Sequence, residues 1–167
     1  MIPQIKRILY TTDLSDSSLH VFKHALNFAQ KHDAGITILH VLEPLSPTVK
    51  AITQAYLDKG QVDQLAEDRS ASAKGLINEQ LKTLCETDFK DDPACAARVQ
   101  SIELRAGFPA EMILSMADEL NCDAVVMGTH GKGFIRNTFL GSTSKRVLRR
   151  TRKPVFIIPL PKEKADF

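Results

Sequence analysis

No apolar run in this chain approaches the ~20 residues that a membrane-spanning helix needs. No sign of charge dominates either: 22 Lys and Arg stand against 20 Asp and Glu, a formal net charge of +2. So small an excess gives no argument for nucleic acid as a partner. Cysteine is scarce, with Cys85, Cys95 and Cys122 the three present. None falls in a CxxC pair and no clustered histidine completes a set, which removes a structural zinc site. Residues 1–7 lack a charged-then-apolar leader, so a cytoplasmic protein is expected. Two common phosphate signatures are missing as well. There is no Walker A spacing, and the first strand–helix turn, Thr11-Thr12-Asp13-Leu14-Ser15, has no glycine where a dinucleotide fold needs Gly-x-Gly-x-x-Gly.

The remaining composition, 43% hydrophobic and 25% charged over 167 residues, suits one globular domain spanning 1–167. Hydrophobic patterning predicts a strand at 8–10 and then a helix carrying Leu19, Phe22, Ala25, Leu26 and Ala29, stopped by Asp33-Ala34-Gly35. A β-branched second strand follows at 36–41, its apolar character marking cover on both faces. Pro44 and Pro47 break the chain, and residues 48–60 are polar and weakly patterned. A longer helix is expected over 62–84 with Leu65, Ala73, Leu76, Ile77, Leu81 and Leu84 inward. Residues 85–96 read as an acidic surface loop in which Cys85 and Cys95 would close a small ring if oxidised, an outcome a reducing cytosol disfavours. Cys122 reads as a small core residue.

Alternation at 99–104 suggests an edge strand. Gly107-Phe108-Pro109 opens a helix bearing Met112, Ile113, Met116, Ala117 and Leu120. Strand 124–127, a glycine segment, a helix over 145–150 and a last strand at 155–158 complete the chain. Strands and helices in alternation argue for an α/β fold: a five-stranded parallel sheet with helices on both faces. The last strand, Val155–Ile158, is apolar on both faces, and an uncovered apolar edge invites pairing. A second copy of the chain, forming a homodimer across this strand, is the expected cover.

The glycine segment carries the chemistry. Gly128, two residues, Gly131, nine residues, Gly141 and then Ser142 lie between a strand and a helix. Glycine permits close approach of backbone to ligand, and a Ser/Thr-lined helix start offers unpaired N–H groups to an anion. With Asp13 at the first strand end, Gly107-Phe108-Pro109-Ala110-Glu111, Met127-Gly128-Thr129-His130-Gly131 and the closing Lys153-Pro154-Val155, the chain resembles the nucleotide-binding branch of the universal stress protein family over nearly its whole length.

That resemblance implies strand order 3-2-1-4-5 in a sheet of the adenine nucleotide alpha-hydrolase-like type, with ligand in the crevice where the order reverses. It further implies an ATP site. Asp13 would accept from ribose hydroxyls, and Val41 would hold the adenine edge through its backbone. Thr11 and Thr12 would line base and sugar, and Met127 would belong to the cofactor-binding set. Gly128, Gly131 and Gly133 would let the chain approach ribose and phosphate. Gly141, Ser142, Thr143 and Ser144 would donate to phosphates, and Lys132 would add a charge. Any Mg²⁺ or Mn²⁺ would be held by the phosphates. Leu14 departs from the family pattern, in which glycine is frequent after the aspartate. His130 lacks a paired carboxylate in sequence, and no catalytic residue is assigned.

Lys145, Arg146, Arg149, Arg150, Arg152 and Lys153 read as a solvated face and helix-end charges without the aromatics that nucleic-acid binding needs. The function expected is a nucleotide-dependent regulatory module of the stress response. A slow ATPase using the same site and a nucleotide-free interaction protein are the alternatives. No regulatory protein partner is indicated.

Overall fold

A computed structural model of the chain describes residues 1–130 and 139–161. The order of elements is β1 (Arg7–Thr12), α1 (Ser18–His32), β2 (Gly35–Leu42), α2 (Pro47–Tyr56), α3 (Lys59–Glu86), α4 (Cys95–Arg98), β3 (Val99–Ala106), α5 (Pro109–Glu119), β4 (Ala124–Gly128), α6 (Ser142–Arg150) and β5 (Val155–Ile158). All strand pairs are parallel, in the order β3-β2-β1-β4-β5, as expected. The two halves of the sheet are wound in opposite directions from β1 and β4, so a crevice opens at their carboxyl ends.

Side-chain alternation in the strands splits the core into two layers. Ile8, Tyr10, Ile36, Ile38 and Val126 pack with Val21, Phe22, Ala25 and Leu26 of α1 and with Ile77 and Leu84 of α3. Leu9, Leu39, Val125 and Met127 pack on the other face with Ile113, Met116 and Ala117 of α5 and Val147 of α6. Cys122 is buried in this second layer, as its apolar setting suggested. Helix α1 ends where Asp33 takes the left-handed conformation at φ 48° and its N–H reaches back to the Ala29 and Gln30 carbonyls.

Several expectations need correction. Residues 48–60, read as polar and weakly patterned, carry most of α2 and the start of α3. Ser46 caps α2 by accepting from the Val49 N–H, and Pro47 occupies the first turn, where a missing N–H is harmless. In α3 only Ala73, Ile77 and Leu84 are buried, whereas Leu65 and Leu76 are 39% and 47% exposed. The helix meets the sheet along a narrower stripe than its apolar residues suggest.

Residues 85–96 are not a plain surface loop. Cys85 and Cys95 are joined by a disulfide. Phe89 packs on the α1-side core, Cys95 is buried, and Arg98 Nε donates to Asp92 Oδ2 at 2.9 Å with both side chains largely enclosed. Turns at 87–92 bring Cys95 back beneath the end of α3, and that return was invisible in the composition.

Strand β5 lies at the sheet edge, as expected, and part of its apolar surface is covered from within the chain. Phe156 stacks on Phe28 of α1 with ring centroids 4.5 Å apart, and Ile158 is buried in the same layer. Val155 and Ile157 pack against the α5–α6 layer. Val155, Phe156 and Ile157 stay half-buried beside the strand's main-chain edge.

Candidate functional site

The register of β1 with β2 and β4 decides which side chains can converge. Thr11 is paired with Leu39 and therefore shares its face, the α5–α6 side, as Val41 does two residues further along β2. Met127 faces the same way. Thr12 pairs with His40 and points to the α1 side, where it is buried. Thr11, Val41 and Met127 thus converge on one side of the crevice at the carboxyl ends of three adjacent strands, next to Asp13. The side chain of Thr12 is not among them. Its role is local: Thr12 Oγ1 accepts from the Leu14 N–H at 3.1 Å.

Asp13 follows the last residue of β1 and sits at the head of a tight turn. Its Oδ1 accepts from the Ser15 N–H at 3.0 Å and from the Ser15 hydroxyl at 2.6 Å, the local bonding that makes Asp common in turns. Leu14, between them, is held at φ 59°, a left-handed conformation that favours glycine and costs a leucine about 1 kcal/mol. The turn is therefore no tighter for lacking the family's usual glycine. The side chain simply occupies glycine's conformation while packing against the α1-side core. The second carboxylate oxygen, Asp13 Oδ2, is buried and has no hydrogen-bond partner among the described residues. A buried acceptor left unmatched costs roughly 1–3 kcal/mol.

Across the crevice the chain leaves β4 through Gly128. A Cβ there would lie 3.3 Å from Val21 Cγ2 and 3.5 Å from the His130 carbonyl oxygen. A side chain here would crowd α1, a packing effect beside any ligand contact. Thr129 is buried, its N–H donates to the Ile158 carbonyl at 3.1 Å, and its carbonyl accepts from the Gly141 N–H at 2.7 Å. That last bond pins the start of α6 to the end of β4. His130 Nδ1 lies 3.0 Å from Thr129 Oγ1. Gly131, Lys132 and Gly133 lie outside the described residues.

Helix α6 begins three residues earlier than its apolar pattern suggested, so Ser142, Thr143 and Ser144 form its first turn. Gly141 is the N-cap, and no side chain among the described residues caps the helix. The N–H groups of that turn are thus directed, uncapped, toward the crevice end of the sheet, where the helix dipole favours an anion. Ser142 is exposed and Thr143 half-buried. Ser144 differs from both. It is buried, and its single hydroxyl hydrogen is directed at the Gly128 and Thr129 carbonyls, at 3.0 and 3.1 Å. Its hydroxyl braces the turn and is not available to donate to a phosphate.

The Universal stress protein family profile matches residues 4–159. The chain belongs to the universal stress protein family. Universal stress protein MJ0577 of Methanocaldococcus jannaschii is 27% identical over 153 residues, covering 92% of this chain and 94% of that protein. The solved structure of MJ0577 superposes with a TM-score of 0.73 at 24% identity, covering 96% of this chain and 99% of that one. A universal stress protein solved in complex with cAMP superposes with a TM-score of 0.59 at 25% identity, over 93% of this chain and 98% of that one.

Within this universal stress protein fold, sequence reasoning missed three contributors to the site. Ser15 was legible, because Asp-x-Ser is a turn signal. Leu14 stood out only as a departure. His40, whose Nδ1 donates to the Thr12 carbonyl at 2.8 Å, carried no sequence signal beyond lying in a buried strand.

Proposed function

We propose that the crevice between the ends of β1, β2 and β4 and the start of α6 binds an adenine nucleotide, ATP being the first candidate, and that the chain acts as a nucleotide-dependent regulatory module. The observation that carries this reading is the buried Asp13 Oδ2, which has no partner among the described residues. A carboxylate oxygen accepts only, so the missing partner is a donor, and ribose hydroxyls are donors of the right kind. Thr11, Val41 and Met127 would supply a mixed polar and apolar wall for base and sugar, and the Val41 backbone would hold the adenine edge. The phosphates would extend toward Gly141 and the uncapped first turn of α6, where the N–H groups of Ser142, Thr143 and Ser144 and the hydroxyls of Ser142 and Thr143 meet them. Gly131, Lys132 and Gly133 belong to the same cradle in this reading. Support from outside the chain comes from the related universal stress protein in complex with cAMP, an adenine nucleotide.

Mg²⁺ or Mn²⁺, where present, would be held by the phosphates. Among the described residues there is no group of three or more His, Cys, Asp or Glu able to hold an ion. A homodimer formed through the open main-chain edge of β5 would let nucleotide occupancy reach a partner, because the Ile158 carbonyl in that strand accepts from the Thr129 N–H beside the site.

The test is direct. Purified protein is denatured and any released nucleotide identified, and ATP affinity is then measured for the wild type and for Asp13→Asn. Losing the charged acceptor is expected to weaken binding roughly 10- to 100-fold, the 1.5–3 kcal/mol of a hydrogen bond to a charged group. Equal affinity in the two proteins, or no adenine nucleotide binding in either, would overturn the reading. Sustained phosphate release from ATP would turn it toward hydrolysis.

A further inference from the structure

We propose that His40, on the face of the sheet away from the crevice, is a positioning residue that holds the Asp13 carboxylate in its ribose-accepting pose. The proposal rests on the nucleotide reading above and deepens it. His40 is 8% exposed in β2 and stands in register with Thr12, the last residue of β1. Its Nδ1 lies 2.8 Å from the Thr12 carbonyl oxygen. A carbonyl can only accept, so Nδ1 carries the hydrogen, which fixes the tautomer of the neutral ring.

The contact matters because the Thr12 carbonyl adjoins Asp13. The peptide group is planar, so a hold on the Thr12 oxygen constrains the Thr12–Asp13 plane and with it the Asp13 N and Cα, from which the side chain departs. Downstream, Ser15 holds Asp13 Oδ1 with two bonds, and the Leu14 N–H is held by Thr12 Oγ1. Leu14 sits at φ 59° in the middle of this arrangement. A strained residue persists only where its surroundings over-determine it, and His40 is the constraint supplied from a different strand. The other side-chain bonds to Asp13 and Leu14 run between residues 12 and 15, while the Ser18 N–H on the Ser15 carbonyl and the packing of Leu14 in the α1-side core tie the turn to α1. His40 adds the side-chain hold from β2, on the strand side of Asp13.

A residue buried only to fill space would affect binding by loosening the fold. A residue that aims Asp13 would affect the ribose end alone. The comparison uses ATP and 2′,3′-dideoxyATP, which lacks both ribose hydroxyls, in the wild type, in His40→Phe (ring retained, donor removed) and in His40→Gln (donor retained). Wild type is expected to favour ATP by roughly tenfold or more, about one charged hydrogen bond. In His40→Phe the ratio should fall toward one while dideoxyATP binds as before, and His40→Gln should restore most of it. In the ligand-free protein the Ser15 amide should exchange with solvent at least about tenfold faster in His40→Phe, the loss of one protecting constraint.

Equal weakening of both nucleotides, or an unchanged ratio, overturns the proposal. An unchanged Ser15 exchange rate overturns it without reference to any ligand. A wild type that does not distinguish the two nucleotides, combined with faster Ser15 exchange in His40→Phe, sinks the ribose reading of Asp13 and keeps the His40 hold. Should His40→Phe not fold, His40→Leu takes its place in every arm.

Discussion

Reducing the Cys85–Cys95 disulfide should lower stability by an amount set by the size of the ring it closes. The two cysteines are 10 residues apart. In the chain-entropy description, closing so short a loop in the unfolded chain is worth about 2.7 kcal/mol at 25 °C. Sulfur packing changes little on reduction, because both thiols stay between the end of α3 and α4, so the loop term dominates. For a chain of this size each kcal/mol moves the melting midpoint by roughly 2–4 °C, which places the reduced protein roughly 5–11 °C lower. The assay is thermal denaturation with and without dithiothreitol, with thiols counted in denaturant to establish the state of each sample. Cys122 is the one free cysteine in the structure, so the count should rise from one to three on reduction. The Cys85→Ala/Cys95→Ala protein should melt near the reduced wild type, somewhat lower because Cys95 is buried, and should not respond to reductant. A sample with three titratable thiols that melts within about 2 °C of the oxidised protein would refute the loop-closure reasoning. So would an unreduced sample that already shows three.

Gly128→Ala should destabilise the protein by about 1–2 kcal/mol in urea denaturation, because the new methyl crowds Val21 Cγ2 at 3.3 Å. In a Val21→Ala background the same change should be nearly neutral, and equal losses in the two backgrounds would show that the contact is not what Gly128 serves. Acid should loosen the α3–β3 corner. The Arg98 guanidinium holds the Asp92 carboxyl below its usual range, so the folded state binds fewer protons than the unfolded one there. That contribution is fully present above the ordinary carboxylate value and is lost as pH falls through the lower folded value. In Arg98→Met the acid limb of the stability profile should be shallower, and an unchanged slope would sever the pair from acid sensitivity.

How much of this was legible in the sequence depends on how local each cause was. Asp13 at the end of a strand, the Gly128–Gly141 spacing and the Val155–Ile158 edge strand were all visible, because strand ends, glycine spacing and helix starts are written in consecutive residues. Helix α2 was also locally written, in Ser46 and Pro47, but its polar face hid it from a search based on apolar period. Other features depended on distant partners. Gly128 reads as a ligand residue until Val21 is found against it. Ser144 reads as a phosphate donor until its hydroxyl is found on the Gly128 and Thr129 carbonyls. The disulfide was judged by compartment, whereas what joins Cys85 to Cys95 is the fold-back of 87–94 with Phe89 in the core. The apolar β5 suggested a partner because Phe28 could not be placed beside Phe156 before the sheet order was combined with the path of α1.

Two unfavourable features of the Asp13 turn explain each other. Leu14 in a left-handed conformation and Asp13 Oδ2 buried without a partner among the described residues each cost free energy, together on the order of 2–4 kcal/mol. Neither helps folding. A turn that relaxed would let Leu14 leave φ 59° and let Oδ2 reach water. It does not relax because Thr12, Ser15 and His40 hold it from three directions. Rigidity of that kind is unfavourable to an empty protein and favourable to a binding one, since the acceptor is already aimed and no ordering remains to be done when a ligand arrives. A donor delivered to Oδ2 removes one of the two costs and leaves the other, so the turn returns to the same geometry after release.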